Sequence, residues 1–113
     1  MRPTADLVSC QEMFAALSQV TRLTVFAAIL DAGPQGMPGH GLARSLGMKG
    51  SALTLHLRAL EAAELIQVLI PPQGRQEARM VARIDRWATL CGWMARPISA
   101  GGWTLDAHVS GCA

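Results

Sequence analysis

The sequence predicts a mainly α-helical domain with a small β-hairpin near its centre. Three observations carry this. Apolar residues recur at steps of three and four over several stretches, the mark of one buried helix face. Two short helical stretches are joined by Gly47-Met48-Lys49, which is helix-turn-helix spacing. After them, two β-rich runs flank a Pro/Gly turn.

Leu7, Cys10, Phe14 and Leu17 give the stripe of a first helix running to about Leu17. Ser18 and Thr21 are cap-type residues at the break. Leu23, Phe26, Ala27 and Leu30 mark a second helix, and Gly33-Pro34-Gln35-Gly36 ends it. Residues 40–46 and 50–63 form the two helices of the helix-turn-helix. Leu53, Leu57 and Leu60 are the buried stripe of the second. At 100° per residue, Ser51, Leu55 and Arg58 fall opposite that stripe, with Thr54 at the edge and His56 on the flank.

The run 66–70 is rich in β-formers, and Pro71-Pro72-Gln73-Gly74 is turn chemistry. Residues 76–84 alternate, with Ala78, Met80, Ala82 and Ile84 on one side. Beside a helix-turn-helix, this hairpin is a wing. A last helix starts near Asp85 as N-cap, with Ile84, Trp87, Cys91 and Met94 as its stripe. Pro97 and the small residues after it end that helix. The chain divides into a domain over 1–97 and a C-terminal tail over 98–113, which Trp103 and Leu105 can anchor.

Of 113 residues, half are apolar and only 16% are charged. That share is low for a monomer surface and points to apolar area covered by a partner. The net charge is only +2, but its placement is uneven. Arg44, Lys49, Arg58, Arg75, Arg79 and Arg83 face only Glu61, Glu64 and Glu77 in the central stretch. No apolar run is long enough to span a bilayer, and the first residues lack a signal-peptide apolar region. The expected location is the cytoplasm, where thiols stay reduced. Three widely spaced cysteines, Cys10, Cys91 and Cys112, argue against a disulfide framework and leave free thiols or ligands.

The segment Phe14-Ala15-Ala16-Leu17-Ser18-Gln19-Val20-Thr21-Arg22-Leu23 resembles the opening signature of the ArsR/SmtB family, with Val20 where that family often has Pro. Residues 42–47 and 51–66 resemble its helix-turn-helix, and Gly74-Arg75 resembles the turn of its wing. The resemblance covers residues 14–84. It implies a winged helix-turn-helix homodimer that pairs through its first and last helices, represses an operator and releases it when an inducer binds. Met37-Pro38-Gly39-His40-Gly41 has no thiol where metal-sensing members carry Cys-x-Cys, and residues 85–94 lack the Asp/His sets that hold zinc. The inducer class is therefore not carried by the resemblance.

In this setting Ser51, Thr54, Leu55 and Arg58 are candidate groove-facing residues. Leu55 meets a thymine methyl, Arg58 a guanine or phosphate, and the hydroxyls base edges or phosphates. The plainer alternative is a solvated helix face, which an outward Leu does not favour. His56 is a packing or phosphate-contacting residue rather than a metal ligand, and Lys49 a phosphate contact. Arg75 and Arg79 suit backbone or minor-groove contact from the wing, or simply solubilise the hairpin.

Cys10 and Cys91 lie on apolar stripes and are either packing residues or ligands. With Cys112 they make a candidate trigonal site for arsenite or antimonite; His108 with thiolates suits zinc instead. Trp87, Trp93 and Trp103 read as core or interface packing, with a pocket for an organic inducer as the alternative. No nucleophile–base pair, phosphate loop or catalytic carboxylate pair has a recognisable spacing, so no enzyme activity is expected. Two other readings stay open: a repressor with a thiol redox or persulfide switch, and a winged-helix protein-interaction module that does not bind DNA.

Overall fold

The computed structural model describes residues 5–71, 77–96 and 101–102. Its elements are α1 (Ala5–Ala16), α2 (Val20–Asp31), a 3-10 turn (Gly33–Gln35), β1 (Met37–Pro38), α3 (Gly39–Leu46), α4 (Gly50–Ala62), β2 (Ile66–Leu69), β3 (Arg79–Ala82) and α5 (Ile84–Met94). The expected helices and both strands of the hairpin are all present.

The sequence pattern located the first two helices and part of each buried face, Cys10 and Leu17 on one and Phe26 and Leu30 on the other. In α1 the buried residues are Cys10, Met13 and Ala16, while Leu7 and Phe14 stay exposed. Phe14 follows Met13 by one residue, so it sits about 100° round the helix from the buried centre. In α2 the core face is Val25, Phe26 and Ile29; Leu23 and Ala27 point outward. The α1–α2 break is closed differently from expectation. Ser18 Oγ donates to the Ala15 carbonyl at 2.8 Å, and Arg22 Nη1 donates to the Ala16 carbonyl at 3.2 Å. Both bonds go to carbonyls in the last turn of α1; the Ala15 carbonyl also accepts the Ser18 N–H at 3.4 Å. Gln19, not Thr21, occupies the N-cap position of α2, without a side-chain cap.

The turn between α3 and α4 is set by Gly47, which adopts the left-handed conformation (φ +63°) as the C-cap of α3. Met48 N–H then donates to the Ala43 carbonyl at 2.9 Å, closing the turn. Leu42, Leu53 and Leu60 bury the inner faces of the pair. The strands form one antiparallel sheet in the order β1-β3-β2, with Ile66 opposite Ala82 and Leu69 opposite Arg79. The third strand, β1, was not anticipated. It is two residues long and ends in a proline, which gives almost no periodic signal and fits an edge position.

The N-cap of α5 lies two residues earlier than expected. Arg83 holds that position, and Asp85 lies in the first turn, where a carboxylate suits the helix dipole. Its buried anchor is Leu90, which sequence inspection missed; Ile84 and Met94 are exposed. Trp87 packs edge-on against Phe26, with ring centroids 5.2 Å apart. One continuous apolar core therefore joins α1, α2, the helix-turn-helix, the sheet and α5.

Candidate nucleic-acid interface

The outward face of α4 is assembled as the sequence pattern requires. Ser51, Thr54, Leu55 and Arg58 are all exposed, while Leu53 and Leu60 anchor the opposite side. Leu55 is 65% exposed, an apolar side chain held in water by the helix that carries it. Thr54 Oγ1 donates to the Gly50 carbonyl at 2.8 Å, so its hydroxyl proton is used locally and its lone pairs remain as acceptors. Lys49 is exposed at the N-cap position of α4. His56 is half-buried, and its Nδ1 is buried with no hydrogen-bond partner among the described residues.

The cations of the central stretch divide into two groups. Arg44, Lys49 and Arg58 are exposed on or between α3 and α4, and no side-chain bond or ion pair engages them among the described residues. Arg44 was counted in the charge pattern but not singled out; its exposure in the last turn of α3 adds it to this surface. Arg83 instead pairs with Asp85 at 3.1 Å and lies 3.9 Å from Glu64. Arg86 lies 3.6 Å from Glu64 and donates to the Ala63 carbonyl at 3.3 Å. Glu64 lies in the left-handed region (φ +59°), where the Leu65 N–H donates to the Leu60 carbonyl at 3.0 Å and the Glu64 N–H to the Glu61 carbonyl at 2.9 Å, closing the end of α4. The Asp85 carboxyl loses some hydration, which raises its pKa. The hydrogen bond from Arg83, the Arg86 backbone N–H, the Arg83 charge and its own N–H together outweigh that and hold it below the ordinary value.

Of the two arginines assigned to the wing, Arg75 lies outside the described residues. Arg79 is exposed, but one edge of its guanidinium is already in use. Nε donates to the Gln35 carbonyl at 2.8 Å and Nη2 to the Gly36 carbonyl at 3.0 Å. A side-chain hydrogen bond between His40 Nδ1 and the Glu77 carboxyl joins the start of α3 to the residues before β3, a link that sequence spacing gave no means of finding.

The thiols are not gathered into a site among the described residues. Cys10 is 2% exposed and belongs to the protomer core rather than to an outer face, and Cys91 is half-buried on α5. No group of three or more His, Cys, Asp or Glu side chains placed to hold a metal occurs among the described residues. Cys112 and His108 lie outside them, as does Trp103. Trp87 is a core residue. Trp93 meets Phe14 edge-on, with centroids 6.0 Å apart, beside a shallow apolar cleft also lined by Leu7 and Cys10.

No protein-family model matches the sequence, and no curated protein matches it either. Solved structures do match. An ArsR-like transcriptional regulator from Rhodococcus sp. RHA1 superposes with a TM-score of 0.70 at 24% identity, over 87% of this chain and 86% of that one. RV1404 from Mycobacterium tuberculosis gives 0.55 at 21% identity, over 75% of this chain and 58% of that one. A MarR-family transcriptional regulator from Rhodococcus sp. RHA1 gives 0.51 at 17% identity, over 84% and 78%. These likenesses define the class by fold: the chain is a winged helix-turn-helix domain, the fold that the resemblance to ArsR-type proteins implied.

Proposed function

We propose that this chain is a DNA-binding transcriptional repressor, a cytoplasmic homodimer that places α4 in the major groove. The observation that carries the proposal is the outer face of α4. Ser51, Leu55 and Arg58 project from the second helix of a helix-turn-helix, with Lys49 and Arg44 beside them as cations that are unpaired among the described residues. An exposed Leu flanked by hydroxyls and an arginine matches a base edge with its thymine methyl and purine acceptors. The likeness to solved transcriptional regulators of the ArsR-like and MarR-family kinds supports the same reading. No single helix among the described residues is long and apolar enough to cross a membrane.

The test is a gel shift with the duplex upstream of the protein's own gene. The expected result is a retarded complex that the same duplex competes away and a scrambled one does not. Absence of any complex at low salt contradicts the proposal and favours a protein-interaction module.

The inducer is proposed to act through thiols, because the two described cysteines are free and sit on α1 and α5, helices that pack together. A trigonal arsenite or antimonite site needs one thiol more, which Cys112 or a second copy supplies. A redox or persulfide switch uses the same cysteines without a metalloid.

A further inference from the structure

We infer that Arg79 is a positioning residue for the wing, seating the base of β3 on the turn after α2, rather than a residue whose main task is to touch DNA. The inference rests on the DNA-binding reading above. It changes what one of that reading's residues does.

Arg79 opens β3, with Leu69 and Pro38 as its partners across the two ladders. The carbonyls it binds, Gln35 and Gly36, belong to the 3-10 turn and its cap. One edge of the guanidinium fork spans two consecutive backbone acceptors. A lysine ammonium, a point charge on a flexible stem, does not reproduce that geometry.

A second observation, independent of the arginine, marks the same seat. Gly36 is buried at φ +71°, and a Cβ there would stand 2.5 Å from the Met80 carbonyl oxygen and 2.6 Å from Val81 Cγ2. The turn therefore lies directly on β3, closer than any residue with a side chain allows. β1 follows at once, with Met37 opposite Met80 and Pro38 opposite Arg79. Just beyond, His40 on α3 is hydrogen-bonded to Glu77.

The connection between α2 and α3 is thus fixed to β3 at Gln35, Gly36 and β1, and again through His40. The same connection leads straight into the helix-turn-helix. The angle between the hairpin and α4 is set here, and both must meet one duplex together. Loosening the seat should weaken binding to every sequence without deleting a contact to DNA.

The experiment is fluorescence anisotropy with the upstream duplex over a range of salt, for Arg79→Ala, Arg79→Lys, Gly36→Ala and the Arg79→Lys/Gly36→Ala pair. Losing a charge-assisted bond on the seat should weaken binding about tenfold. Arg79→Lys is expected to be as weak as Arg79→Ala. Gly36→Ala, buried and uncharged, is expected to be weak too, and the double variant no weaker than the worse single. Wild-type affinity and salt slope in Arg79→Lys, with about one unit of slope lost in Arg79→Ala, would overturn the inference in favour of a direct phosphate contact.

Should Gly36→Ala fail to fold, hydrogen exchange in the free Arg79 variants decides. Faster exchange at the amides of residues 36, 37 and 79–81 is expected; unchanged exchange contradicts the seat. This second measurement uses no DNA. If wild type binds no duplex, the repressor reading fails and the seat is still tested.

Discussion

Phe14 of α1 and Trp93 of α5 meet edge to face with their ring centroids 6.0 Å apart, and both rings remain more than a third exposed. Leu7, Val8 and Met94 are exposed on the same two helices. This is the apolar area that dimerisation through the first and last helices would cover. The expected residues shift, however. Trp87 packs on Phe26 and is only partly exposed, and Cys10 is buried, so Phe14 and Trp93 offer the larger exposed apolar area.

The dimer prediction follows from that shift. Trp93→Arg places a charge in the covered face without touching the core. It should convert a micromolar wild-type dimer to a folded monomer and weaken DNA binding, since two half-sites about one helical turn apart need two linked recognition helices. Light scattering checks the first part, and circular dichroism confirms the fold. A stable wild-type monomer contradicts the account.

Phe26 is 1% exposed and meets Trp87 edge-on. Phe26→Ala should cost about 3–5 kcal/mol, the lost transfer of a buried ring plus the cavity it leaves. Urea denaturation reads this as a lower midpoint with an unchanged slope. A change below about 1 kcal/mol would show that the pair is not part of the core.

The Asp85 carboxyl is held below its ordinary pKa, chiefly by Arg83 against the effect of lost hydration. A folded-state value below the unfolded one makes the group stabilising above the unfolded carboxyl range. That contribution disappears as pH falls through the folded value. Asp85→Asn should therefore lower the melting temperature slightly at neutral pH and leave it unchanged in strong acid. Equal melting-temperature losses at both pH values would contradict the assignment.

The inducer prediction is that arsenite or antimonite weakens operator binding, and that Cys91→Ser abolishes the response while keeping DNA binding. The ion releases DNA only if it binds the non-competent dimer better than the competent one. Anisotropy with each of Cys10→Ser, Cys91→Ser and Cys112→Ser checks it. A wild-type response retained in all three makes the cysteines packing residues.

Much of this fold was legible because helix periodicity and turn chemistry are local. Gly47 and the Leu53/Leu60 spacing placed the helix-turn-helix and, with it, the outward face carrying Ser51, Leu55 and Arg58. What was not legible depends on partners distant in sequence. Met13 and Leu90 are buried by packing that no single helix specifies. β1 exists only because β3 pairs with it. Arg79 read as a free cation until its bonds to Gln35 and Gly36, more than forty residues away, were in view. The cysteines showed the same limit: spacing put Cys10 on a stripe with Leu7 and Phe14, and only the fold shows that Cys10 faces inward while those two stay exposed.

The central claim is that the outer face of α4 reads DNA. The most direct measurement is the affinity of wild type, Arg58→Ala and Leu55→Ala for the upstream duplex and for single-base variants of it. The account predicts that Arg58→Ala loses about 1–3 kcal/mol on the native site and no longer distinguishes bases at one position in each half-site, with little change on unrelated DNA. Leu55→Ala should lose discrimination at a thymine. If both variants bind native and unrelated duplexes as tightly as wild type does, α4 is not the reading element and the account is wrong.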